Sequence, residues 1–213
     1  MIVLVQGNER ERNAGLMDQM HQLRARVFKD RLGWAVKVEN GREHDRFDDE
    51  WTLYVLSVTD QNKVVGCLRV LQTTGPHMLS DVFSALIPKE AQIRSPLVWE
   101  STRFCVDTEY AKDRTSNELS RITGELVSGL GEAAVASGIE HIVSVYDLRM
   151  ERILRRIGCD IERLAPPKDF GGILTVAGLF EVNEAVCARV RKISGLSEPT
   201  LPATAFSSIG AAA

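Results

Sequence analysis

The 213-residue sequence contains four cysteines, 6% aromatic residues and no long apolar segment. The cysteines are widely spaced and form no Cys-x-x-Cys pair, so neither a zinc knuckle nor a thioredoxin-type motif is expected. Cys67 and Cys105 lie within apolar runs and are predicted to be small core residues. No apolar run reaches the roughly 18 residues of a membrane span, and the N-terminus lacks a signal-peptide core. We therefore expect a cytoplasmic protein without membrane association.

The charge balance and the missing glycine motifs exclude further classes. The chain has 26 Lys and Arg against 29 Asp and Glu, for a net charge of -3, so nucleic-acid binding is not expected as its main task. Neither the GxGxxG nor the GxxxxGK[ST] nucleotide motif is present. We expect no metal site and no resident cofactor.

The hydrophobic periodicity predicts one α/β domain over residues 1–192. Predicted strands lie at 1–7, 51–60, 63–74, 95–107, 138–147 and 171–182. Predicted helices lie at 8–30, 117–137, 148–158 and 183–192, the second of them capped by Ser116 or Asn117. This order favours a three-layer αβα sandwich with a mixed, mostly antiparallel central sheet, as in GNAT-type acyltransferases, where two central strands splay apart around a thioester. Residues 193–213 have the composition of a poorly ordered tail.

Two groups of polar and aromatic residues lie in the N-terminal quarter. Arg24 and Phe28 are one helical turn apart, and with Trp34 they form either a core cluster with a surface arginine or a pocket for a flat or cationic ligand. The acid-rich segment "GREHDRFDDEW" at 41–51 has Asp45 and Asp48 three residues apart, so both face one side of a turn. Taken alone, this segment is typical of a solvated loop.

Charged residues inside apolar strands carry the strongest signal. Arg69 interrupts "VGCLRVL", and Glu100 and Arg103 interrupt "VWESTRFCV". Ionised groups are costly in an interior unless they are paired or face a wet cleft, so these residues form either a structural Arg69–Glu100 pair or a functional site. Simple alternation predicts Val98, Glu100, Thr102 and Phe104 on one face of their strand.

The ordered fragments "LRARVF", Trp34, "DRFDDE", "CLRVL", "MLSDVFS" and "ESTRFCVD" resemble the acyl-homoserine-lactone synthases, the LuxI-type autoinducer synthases of bacterial quorum sensing. The resemblance extends to about Glu181. The family's charged and aromatic site positions fall on residues of the expected type: Arg24, Phe28, Trp34, Asp45, Asp48, Arg69, Glu100 and Arg103, with Phe83 as a further aromatic. Within the acid-rich segment, Arg42, Glu43, His44, Arg46 and Asp49 keep the interpretation of a solvated loop.

The resemblance implies a GNAT-like fold that binds S-adenosylmethionine and an acyl thioester, on acyl carrier protein or on coenzyme A. S-adenosylmethionine is then a consumed substrate and not a cofactor. Glu100 is the candidate base for the amine, because an ammonium must lose a proton before it attacks. The resemblance assigns orientation of the substrate and of the arginines to Asp45 and Asp48, and binding of S-adenosylmethionine to Arg24, Phe28, Trp34, Phe83 and Arg103. Residues 31–50 are expected to form a mobile substrate-binding loop.

Acyl specificity and donor choice are the least determined features. Ser144 either hydrogen-bonds an oxygen at the third carbon of the acyl chain or bonds the backbone, and Phe104, Val143, Val145, Leu126 and Leu174 are further candidates for the acyl channel. One helix carries four arginines, Arg149, Arg152, Arg155 and Arg156. Their side chains either bind an acidic acyl carrier protein or form an ordinary solvent-exposed face. The glycine-rich coenzyme A loop of ordinary acetyltransferases is missing before residue 117, which favours the carrier protein. The rival interpretations are an ordinary GNAT acetyltransferase and a non-catalytic ligand sensor.

Overall fold

The structure is a computed structural model that describes residues 1–112 and 118–202. The predicted helix caps Ser116 and Asn117 lie outside these residues. The strands are β1 (Ile2–Gln6), β2 (Val38–Glu39), β3 (Arg42–Glu43), β4 (Leu53–Val58), β5 (Val64–Gln72), β6 (Val98–Val106), β7 (His141–Asp147), β8 (Ile161–Arg163), β9 (Lys168–Phe170) and β10 (Ile173–Glu181). The helices are α1 (Ala14–Arg24), α2 (Met78–Asp81), α3 (Thr108–Lys112), α4 (Glu118–Ala136), α5 (Leu148–Arg156) and α6 (Glu184–Ile193).

The central sheet has the order β1-β4-β5-β6-β7-β10-β8, with β9 paired to β10. Within the described chain, β6 and β7 are parallel and the other strand pairs of this sheet are antiparallel. The pairing of β6 with β7 runs from Val98–His141 to Ser101–Ser144 and then stops, so the two strands separate towards their carboxyl ends. The predicted mixed, mostly antiparallel sheet with a central splay is confirmed.

Helices cover both faces of the sheet and complete the predicted three-layer sandwich. The helix α4 packs Ile122, Leu126 and Leu130, spaced by four residues, onto β4 and β5. The helices α5 and α6 lie on the same face, and α1 and α2 cover the other. Cys67 and Cys105 are buried on the α1 face, with 3.2 Å between their sulfur atoms, as expected for core residues.

The first helical region departs from the single helix predicted over 8–30. The α-helix ends at Arg24 and continues as a seven-residue π-helical segment, Ala25–Arg31. A π-helical turn is wider than an α-helical one, and such turns are frequent at functional sites. This segment carries Phe28 towards Trp34, whose backbone N–H donates to the Phe28 carbonyl at 2.8 Å.

The beginning of the predicted tail packs on α4. The Glu132 carboxylate accepts hydrogen bonds from the backbone N–H groups of Thr200 and Leu201, and it also pairs with Arg191. Leu201 is buried against the core. Thr200 and Leu201 therefore contact α4 and the core, and the poor order expected for residues 193–213 stays a prediction.

Candidate active site

Six buried or half-buried charged side chains form a closed ring on the α1 face of the sheet. Positive and negative members alternate around it in the order Arg24, Glu43, Arg103, Asp45, Arg69 and Asp48. Three arginines balance three carboxylates, so the ring is electrically neutral. Each charge has two neighbours of opposite sign. Their attraction offsets the free-energy cost of burying the charges, which would be prohibitive for an isolated ion.

The ring contains two bidentate arginine–carboxylate pairs. Arg24 donates to both oxygens of Asp48, at 2.7 and 2.8 Å, and through Nε to Glu43 at 2.5 Å. Arg69 donates to both oxygens of Asp45, at 2.5 and 3.0 Å. The fork geometry of guanidinium matches a carboxylate and fixes the orientation of both groups.

The pKa values of the acids follow from this pairing. Burial alone would raise the pKa of Asp48, but the positive charges of Arg24 and Arg69 outweigh it and hold the pKa well below its usual range. For Asp45 burial likewise acts upward, while Arg69 and Arg103 lower the pKa. Both acids are therefore carboxylates at neutral pH.

The most accessible edge of the ring consists of Asp45 and Arg103, and Arg103 lines a cavity. Arg103 Nη2 lies 2.6 Å from Asp45, and these side chains are 11% and 19% exposed, whereas Arg24, Arg69 and Glu43 are essentially inaccessible. A substrate can therefore reach this edge without dismantling the ring.

Glu43 is a site residue that the sequence interpretation missed. It is fully buried and joins Arg24 to Arg103, with 3.1 Å between its Oε1 and Arg103 Nη2. It lies on a two-stranded hairpin, β2–β3, whose turn residues Asn40 and Gly41 both have positive φ. An Asn-Gly pair is the strongest short-range hairpin signal, and it was readable in "VENGRE". The solvated-loop interpretation of Glu43 is wrong.

A β-bulge places Arg103 in the ring. The ladder between β5 and β6 pairs Arg69 with Thr102 and Cys67 with Cys105, and within it neither Arg103 nor Phe104 has a partner. Arg103 has a φ of 53°, in the left-handed region that non-glycine residues rarely adopt. Because of the extra residue, Arg103 points to the same face of the sheet as Thr102, and Phe104 points to the α4 face. The prediction that Phe104 shares a face with Glu100 and Thr102 is therefore wrong.

Aromatic residues flank the open edge of the ring. Phe28 and Trp34 stack with 5.1 Å between centroids and 11° between planes, and the Arg103 guanidinium lies 5.5 Å from the Phe28 centroid. Phe83 packs edge-on against Phe170, with 5.6 Å between centroids, and lines the same cavity. The structure therefore brings together the aromatic residues predicted for the site.

Glu100 is buried beside the ring but is not one of its members. Its two oxygens accept hydrogen bonds from the backbone N–H groups of Met78 and Leu79, each at 2.6 Å, at the start of α2. Among the described residues the acidic partners of Arg69 are Asp45 and Asp48, so the structural Arg69–Glu100 pair, one of the two alternatives, is not formed. Burial raises the pKa of Glu100 to about 7, although the two N–H donors act in the opposite direction.

A cavity of about 920 Å³ passes through the splay between β6 and β7. On the α1 face it reaches Phe28, Trp34 and Arg103. On the α4 face it continues as the acyl chamber, which is lined by Phe104, Val127, Leu130, Ile142, Tyr146, Leu154 and Phe180. The predicted channel residues Phe104, Ser144 and Val145 line this cavity. The Ser144 hydroxyl donates to the Ser101 carbonyl at 2.7 Å, which is the backbone alternative considered for it.

Three of the predicted channel residues do not line this cavity. Val143 is fully buried on the opposite face of β7, against Leu79. Leu126 is fully buried and packs onto the β4–β5 side of α4. Leu174 is 50% exposed near the β9–β10 hairpin. Their assignment to the channel is wrong. Alternation along the strands and the angular position around the α4 axis direct these side chains away from the cavity.

The four arginines of α5 divide into two groups. Arg155 donates to the buried Glu151 and to the Ile161 carbonyl, so it stabilises the helix against β8. Arg149, Arg152 and Arg156 are exposed and form a stripe at spacings of three and four, beside the exposed Ile153. Three of the four arginines predicted for docking thus form an exposed stripe, and their role in docking stays a prediction.

His21, His44 and Asp48 place possible metal-ligating atoms within 4.8 Å of one another. The oxygens of Asp48 already accept hydrogen bonds from Arg24, Tyr54 and the Asp45 backbone N–H. A cation here would have to displace these donors next to a buried guanidinium. The arrangement therefore favours the charged ring over a metal site.

The bulged and splayed strands, with a thioester-sized cavity between them, define a GNAT-like acyltransferase. A model of the autoinducer synthase family matches residues 7–190. The probable acyl-homoserine-lactone synthase of Sinorhizobium fredii is 40% identical over 178 residues, 84% of this chain and 86% of the relative. The acyl-homoserine-lactone synthase of Agrobacterium fabrum is 37% identical over 207 residues, 97% of this chain and 98% of the relative.

The solved structure of MesI, described as a CoA-dependent acyl-homoserine lactone synthase, has 27% identity and a TM-score of 0.80 over 95% of this chain and 100% of its own. The chain belongs to the autoinducer synthase family, and it is an acyltransferase of the acyl-homoserine-lactone synthase type that makes quorum-sensing signals. Among its described residues, no helix is both long and apolar enough to cross a bilayer.

Proposed function

We propose that the enzyme transfers an acyl group from an acyl thioester to the amine of S-adenosylmethionine and then closes the homoserine lactone. The open edge of the charged ring carries this proposal, because Arg103 lines one end of the cavity and Asp45 lies beside it, so the edge offers a guanidinium and a carboxylate to a zwitterionic amino acid. The aromatic stack of Phe28 and Trp34 adjoins this edge and suits a sulfonium and its adenosine. S-adenosylmethionine is consumed, no resident cofactor takes part, and the reaction takes place in the cytoplasm.

The reaction requires two substitutions. First, the ammonium loses a proton, the amine nitrogen bonds to the thioester carbonyl carbon, and the thiol leaves. Then a carboxylate oxygen of the same amino acid bonds to its γ-carbon while the bond from that carbon to the sulfonium breaks. Methylthioadenosine carries away the electron pair of the broken bond, so charge and atoms balance without an added oxidant or reductant.

Each group beside the cavity has a role in the first substitution. Asp45 holds the ammonium and Arg103 the carboxylate of the substrate, since these are the more accessible charges of the ring. Glu100 is the base, directly or through a water, and its pKa of about 7 suits proton transfer at neutral pH. The unpaired backbone at the Arg103–Phe104 bulge supplies the N–H donor for the tetrahedral oxyanion.

Simultaneous product measurement tests the proposed reaction. With S-adenosylmethionine and an acyl thioester, we expect acyl-homoserine lactone and methylthioadenosine in equal amounts by mass spectrometry. An ordinary GNAT acetyltransferase would give acylated amine without methylthioadenosine. A ligand sensor would give neither product, and either result would reject the proposed function.

For the donor, we propose acyl carrier protein over free acyl-CoA. The support is the exposed stripe of Arg149, Arg152 and Arg156, because Arg149 and Ile153 also line the mouth of the cavity. An acidic carrier protein that contacts the stripe would thus present its thioester at the opening. MesI is described as CoA-dependent, which makes acyl-CoA the alternative donor.

Charge reversal on the stripe separates the two donors. We expect Arg152→Glu/Arg156→Glu to raise the KM for acyl carrier protein about tenfold or more, because complementary charge becomes repulsion, and to leave turnover with acyl-CoA much less affected. Arg12→Glu is the matched control, since Arg12 is a highly exposed arginine outside the stripe. Better efficiency of the unaltered enzyme with acyl-CoA, together with no effect of the double reversal, would overturn the preference for the carrier protein.

A further inference from the structure

One aromatic side chain separates the acyl chamber from Gly178 of β10. Tyr146 lies on the chamber face of β7, two residues after Ser144. Its ring reaches diagonally onto the neighbouring strand and packs edge-on against Phe180, with 5.8 Å between centroids. The tip of the ring covers Gly178, which is paired with Ser144 across the two strands.

Gly178 has no side chain at the place where the tyrosine lies. A Cβ atom there would overlap the Tyr146 hydroxyl and lie 2.8 Å from Cζ of the same ring. Any larger residue at 178 would therefore have to push the tyrosine off β10 towards the chamber. The position of this ring depends on the glycine.

The hydroxyl group of Tyr146 does not account for the presence of a tyrosine at position 146. Within the described part of the chain, it is a buried hydroxyl with no hydrogen-bond partner. An unpaired buried hydroxyl costs free energy, so the ring itself carries the useful contacts. Those contacts are with the apolar side chains around the chamber, Leu154 and Phe180 among them.

We infer that Tyr146, seated over Gly178, is a specificity-determining residue that limits the length of the acyl chain. This inference rests on the proposed function, and it identifies the residue that closes the chamber on the β10 side. Removal of the ring would extend the chamber down to the β10 backbone. Each extra methylene that becomes buried is worth about fourfold in binding.

A series of saturated acyl thioesters from butanoyl to tetradecanoyl tests this inference, with kcat/KM measured for each. We expect Tyr146→Ala to raise the ratio of long-chain to short-chain kcat/KM by at least about tenfold. Gly178→Ala is expected to shift the preference towards shorter chains, because its methyl group displaces the ring into the chamber. Tyr146→Phe retains the ring and is expected to retain the chain-length profile.

The double variant Tyr146→Ala/Gly178→Ala gives the sharpest outcome. It should show the long-chain profile of Tyr146→Ala, since the added methyl group then has no ring to displace. The inference would be overturned if the unaltered enzyme, Tyr146→Ala and Gly178→Ala all form lactone with the same chain-length profile. Absence of lactone with every donor in the unaltered enzyme would instead reject the proposed function.

Discussion

Lactone formation is expected to fall at least a hundredfold when Asp45 is replaced by asparagine. Asp45 accepts hydrogen bonds from Arg69 and Arg103, and it is the most accessible carboxylate of the ring. Loss of its charge leaves two guanidinium groups short of a partner and removes the group proposed to hold the substrate ammonium. A hydrogen bond to a charged group is worth about 1.5–3 kcal/mol, and a loss of about 3 kcal/mol of transition-state stabilisation corresponds to a rate loss of this size.

The fold is expected to survive this substitution. Arg69 keeps Asp48 and Arg103 keeps Glu43, and asparagine has nearly the same volume as aspartate. Asp18→Asn is the matched control, because Asp18 pairs with Arg42 at the surface, where ion pairs contribute little. Circular dichroism, calorimetric binding of S-adenosylmethionine and lactone yield should be measured on both variants. Near-normal turnover of Asp45→Asn would return this aspartate to a purely structural role.

The charged ring could be predicted in large part because two of its arginines, Arg69 and Arg103, interrupt apolar strands. A cation between leucine and valine in "CLRVL" must find a partner, and the acid-rich segment supplies it. The assignment of partners was less accurate. Arg69 pairs with Asp45 and Asp48, which are 24 and 21 positions away, and not with Glu100 on the neighbouring strand. Pairing over such separations depends on how a loop folds back, which periodicity does not determine.

Glu43 shows that a local signal was available and was not used. The Asn40–Gly41 turn sets the register of the hairpin and places Glu43 opposite Val38. The burial of Glu43 then follows from its approach to Arg24, which the hairpin alone does not specify. The mobility expected for residues 31–50 stays a prediction.

The bulge at Arg103 is beyond what alternation can predict. One inserted residue reverses the phase of the strand, so Arg103 joins the ring and Phe104 enters the acyl chamber. A non-glycine residue with positive φ leaves no mark in the sequence. The prediction of Val143 as a chamber residue was wrong for a related reason, because Val143 directly precedes Ser144 on β7 and therefore points to the face opposite Ser144 and Tyr146.

Glu100→Gln is expected to lower kcat by about 10²–10⁴-fold and to remove a pH dependence centred near 7. Burial raises the pKa of Glu100 to about 7, so the unaltered enzyme gains the basic form as pH rises through this value. The rate should therefore increase between about pH 6 and 8 and then level off. The α-amino group of the substrate has a reference pKa of about 7.7–8.0, so kcat at saturating substrate is the quantity to compare between variants.

Thermal unfolding distinguishes the base from a residue that merely holds α2. Because folding raises the pKa of Glu100 above its ordinary value, its ionisation favours the unfolded chain. The stability that it contributes is complete below about pH 4 and is lost as pH rises through 7, so the Tm of the unaltered enzyme should fall relative to Glu100→Gln over that interval. Glu125→Gln is the control for a buried glutamate outside the site, since Glu125 accepts from Ser57.

The two readouts have different meanings. A change in Tm that follows pH without any change in the pH dependence of kcat would show that Glu100 only anchors Met78 and Leu79, and another group would have to accept the proton. If Glu100→Gln loses the rise in kcat but keeps its affinity for S-adenosylmethionine, Glu100 acts in the chemical step. Glu100→Asp should then restore part of the rate, because a shorter carboxylate still accepts the proton but through a longer hydrogen bond.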